Sequence, residues 1–158
     1  MTEQFEEVIT TRERLREFYG MPSHGSSKKV IDHIDDICRR FIAASTFVMV
    51  ATRGADGRPD ISPKGDLPGF VIVVDKKTLA IPDRPGNNRL DSFENLLVNS
   101  EVGLFFVIPG IGNTLRVSGQ CQIVRDGELQ AAMKINGKAP NLILIVRVEE
   151  AFMHCPSA

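Results

Sequence analysis

Residues 46–63, TFVMVATRGADGRPDISP, set a β-branched and aromatic run against a second extended segment across a tight turn. Val, Thr and Phe suit a pleated strand, and Asp56-Gly57 is a dipeptide that closes a hairpin. A hairpin is antiparallel by construction, and the pattern recurs along the chain. FVIVVD (70–75) faces TLAIPD (78–83) across Lys76 and Lys77. VGLFFVI (102–108) and TLRVSGQCQIV (114–124) are joined by the turn PGIGN, and NLILIVRVEEAFMH (141–154) is the last long run. Short strands joined by hairpin turns, with few helices, predict a mainly β fold with flanking helices, built as an antiparallel barrel. Pro63 is expected to stop the returning strand, leaving it at 59–63. Gly119, inside a long strand, predicts a bulge or bend.

Four segments read as helices. Residues 10–19 carry Thr10 and Glu13 at capping-box spacing, with Gly20 and Pro22 to end the helix. Over 28–44, Ile31, Ile34, Ile37, Cys38, Phe41 and Ile42 recur at helical spacing, with Asp32, Asp35 and Asp36 mostly off that face. Residues 88–98 place Leu90, Phe93, Leu96 and Leu97 toward a core, and 127–135 form a further helix. No repeat or low-complexity linker divides the chain. The expected organisation is an N-terminal helical extension and loop over 1–27 and one domain over 28–158.

A chain of 158 residues can bury a real core. Its formal net charge of −1 argues against a nucleic-acid binder, which usually carries a basic excess. No apolar run approaches membrane-spanning length. The acidic N-terminus MTEQFEEVITTRERLREF is not a signal peptide. Cys38, Cys121 and Cys155 are far apart and lack metal-site spacing, so they read as reduced thiols of a cytoplasmic protein.

The segment with most chemical content is IPDRPGNNRLDSFENLL (81–97). An apolar strand ends, a turn carries Arg84, Gly86, Asn87, Asn88 and Arg89, and a helix begins. Asn88 is the expected N-cap, with Asp91 three residues on. Backbone N–H groups in a helix's first turn have no internal partner, so that end favours an anion. Arg84 and Arg89 flank it with paired donors that match phosphate. The same turn could equally be a plain helix cap, with Arg89 paired to Asp91 or Glu94. A second element, GRPDISPKGDLPGF (57–70), holds Ser62 and Lys64, which a neighbouring hairpin could bring toward the arginines. A third is Arg116, which shares one strand face with Thr114 and Ser118. Facing inward it needs an acid or an anionic ligand; facing outward it needs nothing.

The blocks FVMVATRGADGRPDISPKGDLPGFV, TLAIPDRPGNNRLDSFENLLVNSEVGLFFVIPG and TLRVSGQCQIV resemble the pyridoxamine 5'-phosphate oxidase-like flavoproteins. The resemblance covers about residues 28–154, and "PDRPGNNRLDS" and "SPKGD" are its most specific parts. It implies a six-stranded antiparallel split barrel of Greek-key type. It further implies a homodimer, with FMN in clefts at the interface. The flavin phosphate would fall to Arg84, Asn88 and Arg89, helped by Ser62 and Lys64, and the ring to Thr114 and Arg116. The vitamin B6 oxidases close their pockets with a Trp- and Arg-containing segment, whereas this chain has no Trp. The expected function is therefore an FMN-dependent oxidoreductase on an unidentified small molecule. The alternatives are a flavin binder without turnover, or a haem-handling protein that uses His24 or His154. No His, Cys or carboxylate pair stands out as an acid–base catalyst, and no metal site is expected.

Overall fold

The computed structural model describes residues 5–21 and 29–155. Seven strands form one antiparallel sheet: β1 (Phe47–Arg53), β2 (Pro59–Gly65), β3 (Ile72–Asp75), β4 (Thr78–Pro82), β5 (Glu101–Val107), β6 (Thr114–Val124) and β7 (Ile143–His154). Their order across the sheet is β2-β1-β5-β6-β7-β4-β3. Every strand run legible in the sequence is present, one more than the six that the resemblance implies. β2 and β3 follow each other in the chain yet lie at opposite edges of the sheet. Even so, Val48 and Val50 of β1 share one core with Leu79 and Ile81 of β4 and with Val73 of β3. A sheet whose two ends bury side chains in one core must curl around it. The fold is the split barrel, with β2 and β3 as its unpaired edges.

The period-2 alternation positions the site. In β1, β5 and β6 the residues Val48, Val50, Leu104, Phe106, Leu115 and Val117 are buried, and their neighbours face the other side. β6 and β7 are the longest strands, and their register shifts between Ser118 and Gly119, as the glycine predicted. A Cβ on residue 119 would stand 1.9 Å from the Arg147 carbonyl oxygen, so only glycine fits this close approach of two backbones. Pro63 does not end β2, which runs on to Gly65 opposite Phe47. As an edge strand, β2 can absorb a residue without an N–H.

The helices differ from the sequence expectation mainly at their starts. α1 (Arg12–Tyr19) is capped by Thr11, whose hydroxyl accepts from Arg14 N, and not by Thr10; Gly20 closes it at φ 65°. Pro22 lies outside the described residues. α2 (Asp36–Ala44) is much shorter than 28–44, because the Asp35 carboxylate caps it by accepting from Cys38 N at 2.8 Å. Residues 29–34 are a strap instead. Ile31 exchanges backbone hydrogen bonds with Ala151, and Ile34 N donates to Lys76 O at 2.7 Å. Of the face expected on that helix, Ile34, Cys38, Phe41 and Ile42 are buried, whereas Ile37 is exposed. α3 (Asp91–Val98) seats Phe93 and Leu96 in the core. α4 (Gly127–Ala132) covers a satellite cluster of Ala80, Met133 and Ile143. Among the described residues, no helix is long and apolar enough to cross a membrane.

Candidate functional site

The two most specific sequence blocks meet at the edge of the barrel. β2 turns Asp60, Ser62 and Lys64 to its inner side, with Ile61 and Pro63 on the other. That inner side faces α3: Ser92 Oγ donates to Asp60 Oδ2 at 3.1 Å, and Lys64 Nζ lies 5.5 Å from the Phe93 ring centroid. Lys64 Nζ is also 3.9 Å from Asp83 Oδ1. Two residues further along, Arg84 Nε donates to Asp66 Oδ2 at 2.7 Å, and its Nη1 donates to the Met133 carbonyl at 2.8 Å. The result is a reciprocal clasp. Lys64 and Asp66 of one block face Asp83 and Arg84 of the other, with charges reversed. Its halves are unequal. Arg84 and Asp66 keep only 25% and 14% of their side-chain surface exposed and are hydrogen-bonded. The Lys64–Asp83 distance is too long for a hydrogen bond, which leaves the ammonium donors uncommitted to that carboxylate.

The helix start differs from the expected cap. Asn88 and Leu90 both have φ 60°, α3 begins at Asp91, and Leu90 holds the cap position without a side-chain bond. Asn88 is therefore not the N-cap. Asn87 Oδ1 accepts from Arg89 N at 3.1 Å instead, and the two left-handed residues delay the helix. Leu90 and Leu97, expected in the core, are 48% and 78% exposed, because an eight-residue helix reaches the barrel only through Ser92, Phe93 and Leu96. The first-turn N–H groups have no intrahelical partner and no side-chain cap. Arg89 sits beside them, 72% exposed, with Nε on Asp91 Oδ2 at 2.8 Å.

Thr114, Arg116 and Ser118 do share a face, and it is the outer one. There a cleft of about 450 Å³ opens over Met49, Ala51, Ile61, Gly103 and Phe105, with Arg116, Ser118 and Glu150 along it. Register puts Phe105 opposite Arg116, Arg116 opposite Phe152, and Ser118 opposite Glu150. The guanidinium lies 4.8 Å from the Phe152 ring centroid. Among the described residues it has no ion pair.

Burial pushes the Cys121 thiol up to about 12, and burial with the neighbouring Asp35 does the same for Cys38, so neither is a nucleophile at neutral pH. No group of three or more His, Cys, Asp or Glu among the described residues could hold a metal ion. His154 stands edge-on to Phe152 at 5.8 Å, and His24 lies outside the described residues. Three partners escaped the sequence reading: Asp66, Asp83 and Phe152. The first two had a signal, since an acid sits two residues after Lys64 and another just before Arg84. Phe152 had none without the strand register.

A family model for pyridoxamine 5'-phosphate oxidase matches residues 34–155, which takes in the barrel, the clasp and the outer cleft. The chain belongs to that family. No curated protein matches it. Among solved structures, HupZ of Group A Streptococcus is 24% identical over 75% of this chain and 91% of its own, with a TM-score of 0.59. A candidate pyridoxamine 5'-phosphate oxidase of Lactobacillus delbrueckii is 21% identical over 77% of this chain and 95% of its own, at 0.60. An FMN-binding protein of Syntrophomonas wolfei is 12% identical over 73% and 82%, at 0.58. At such identities the family's likeness to these neighbours is one of fold.

Proposed function

We propose that this protein binds FMN and acts as an oxidoreductase on a small organic molecule. The clasp carries the reading. It brings Ser62, Lys64 and Arg84 from separate blocks to one edge of the barrel, beside a helix start whose N–H groups are uncapped. The family, and an FMN-binding protein of the same fold, support a flavin as the ligand.

The residues fit a phosphate unequally. Lys64 has donors to give, Ser62 stands two residues away on the same strand face, and the first turn of α3 offers backbone N–H groups. Arg89 precedes that turn, exposed and bonded to Asp91, and would add its remaining donors. Arg84 is committed to Asp66 and Met133, so it holds the two blocks in register and positions Lys64. Asn88 contributes the left-handed backbone that opens the helix start. Thr114 and Arg116 lie on the opposite face of the sheet from Ser62 and Lys64, so they would meet the ring of a cofactor held by the second copy. Bound there, FMN would supply hydride transfer, while the chain supplies orientation and charge.

The oligomer expected is a homodimer with the cofactor at its interface. The outer faces of β1 and β5 carry Phe47, Met49, Phe105 and Val107 only half-buried, an apolar surface that a second copy would cover.

The test is a flavin titration of the purified protein, followed by absorbance and by quenching of flavin fluorescence. Lys64→Ala should weaken FMN binding by about 1–3 kcal/mol, the cost of a charge-assisted contact. Riboflavin, which lacks the phosphate, should bind Lys64→Ala and the parent protein alike. A protein that ignores FMN altogether overturns the proposal. Reduction of bound flavin by a nicotinamide donor then separates an oxidoreductase from a flavin carrier.

A further inference from the structure

Helix α3 has a weak apolar hold on the barrel. Of its apolar side chains only Phe93 and Leu96 reach the core, whereas Leu97 and Val98 face solvent. Apolar contact is non-directional, so two such side chains leave a short helix free to slide and turn over the sheet. Directional bonds remove that freedom. Ser92 and Asn95 are three residues apart and share one face of α3. Ser92 Oγ donates to Asp60 Oδ2 at 3.1 Å, and Asn95 Nδ2 donates to Thr52 Oγ1 at 3.0 Å. The two acceptors are themselves a matched pair, because register sets Thr52 of β1 directly opposite Asp60 of β2. Among the described residues the buried polar ones are Ser45, Thr52 and Ser92, and the last two both belong to this contact.

Ser62 and Lys64 follow Asp60 on the same face of β2. Lys64 Nζ lies 5.5 Å from the ring centroid of Phe93, the residue after Ser92. The bonds of α3 therefore fix its first turn against the strand that supplies the ammonium and the hydroxyl. Among the described residues the Asp60 carboxylate accepts from the Ser92 hydroxyl and from no backbone N–H of α3, so it leaves the first turn open. We infer that the Asp60–Ser92 and Thr52–Asn95 bonds form a latch that aims the first turn of α3, and that Asp60 is a positioning residue for the phosphate of the ligand. This role rests on the reading of the site as one for a flavin phosphate. Charge and position then act in opposite directions at Asp60. As a bare negative charge beside a phosphate it would oppose binding. As the anchor of the latch it favours binding, because N–H groups, hydroxyl and ammonium act together only when they converge on one anion.

The experiment titrates the full chain with FMN and with riboflavin and reads the ratio of the two affinities, which isolates the phosphate. Asp60→Ala should lower that ratio about three- to tenfold, from the loss of one hydrogen bond, although it removes a negative charge. Asp60→Asn keeps an acceptor for Ser92 without the charge, so its ratio should equal or exceed the parent's. Ser92→Ala, which removes only the hydroxyl, should lower the ratio as Asp60→Ala does. Asn95→Leu should lower it less, because its bond lies further from the helix start. Riboflavin affinity should stay unchanged throughout. Thermal melts verify that each variant is folded, and Ser92→Ala decides the matter if Asp60→Ala does not fold. A ratio unchanged or raised in Asp60→Ala, a loss shared equally by FMN and riboflavin, or an Asp60→Asn protein as impaired as Asp60→Ala overturns the positioning role. A parent protein that binds FMN no better than riboflavin overturns the phosphate reading and this role with it, so the parent titration tells the two failures apart.

Discussion

Two regions of this molecule hold cations in opposite ways. At the barrel edge, Lys64, Arg84 and Arg89 each face a carboxylate: Asp83, Asp66 and Asp91. On the outer sheet face, Arg116 lies over the Phe152 ring and, among the described residues, has no ion pair. The same residue type thus serves two ends. A half-buried arginine bonded to an acid and a carbonyl is a structural fastener, because removing it strands both partners. An exposed arginine resting on an aromatic ring adds little to stability and keeps its donors for a ligand. Proximity to a conspicuous motif does not tell the two apart. Arg84 sits in the motif that most suggests ligand binding, yet it is the most committed of the four.

The sharpest way to test that contrast is to remove Arg84. Arg84→Ala should lower stability by about 2–3 kcal/mol in urea unfolding, somewhat less than for a fully buried pair. A loss below about 0.5 kcal/mol, the range of an exposed pair, would mean that the clasp is not structural. Next in size is the acid facing Lys64. If Lys64 serves an anion, Asp83 competes for it, so Asp83→Asn should tighten FMN binding several-fold, by up to about 1 kcal/mol. Weaker binding would place Asp83 among the groups that hold the ligand.

The strap gives a pH-dependent control. Lys77 Nζ bonds Asp32 Oδ2 at 2.8 Å, and with His33 it lowers the Asp32 carboxyl from 3.8 to about 2. A carboxylate acidified by folding stabilises the protein above its unfolded value and loses that stabilisation as pH falls through the folded one. The acid limb should therefore be flatter in Asp32→Asn than in the parent between pH 3.8 and about 2, as followed by melting temperature. The pair is exposed, so this effect is small. The smallest changes expected are in Arg89→Ala and Arg116→Ala, each within about 0.5 kcal/mol of the parent stability. A larger loss for Arg116→Ala would make it a fastener like Arg84 and erase the difference between the two regions.

Much of the fold was legible along the chain. Strand runs with period-2 patterning, the Asp56-Gly57 turn and Gly119 are local signals, and each acts through backbone geometry within a few residues. The errors were local too, and they fell where tertiary partners outbid local preference. Residues 29–34 have helical periodicity, but Ile31 finds its backbone partner in Ala151, more than a hundred residues away. Pro63 reads as a strand stop, but an edge position forgives its missing N–H. Asn88 reads as a cap, but Asn87 captures the turn first.

The site divides along the same line. Sequence alone determined which residues carry the charge and which blocks hold them, because residue type and short spacing are written in the chain. It also determined that Thr114, Arg116 and Ser118 share a face, since a strand's period of two leaves no choice. Only the tertiary structure decided which cations are already spent. Whether a guanidinium meets a carboxylate, a carbonyl or an aromatic ring depends on strand register and on the curl of the sheet, and both are set by contacts between residues far apart in the chain.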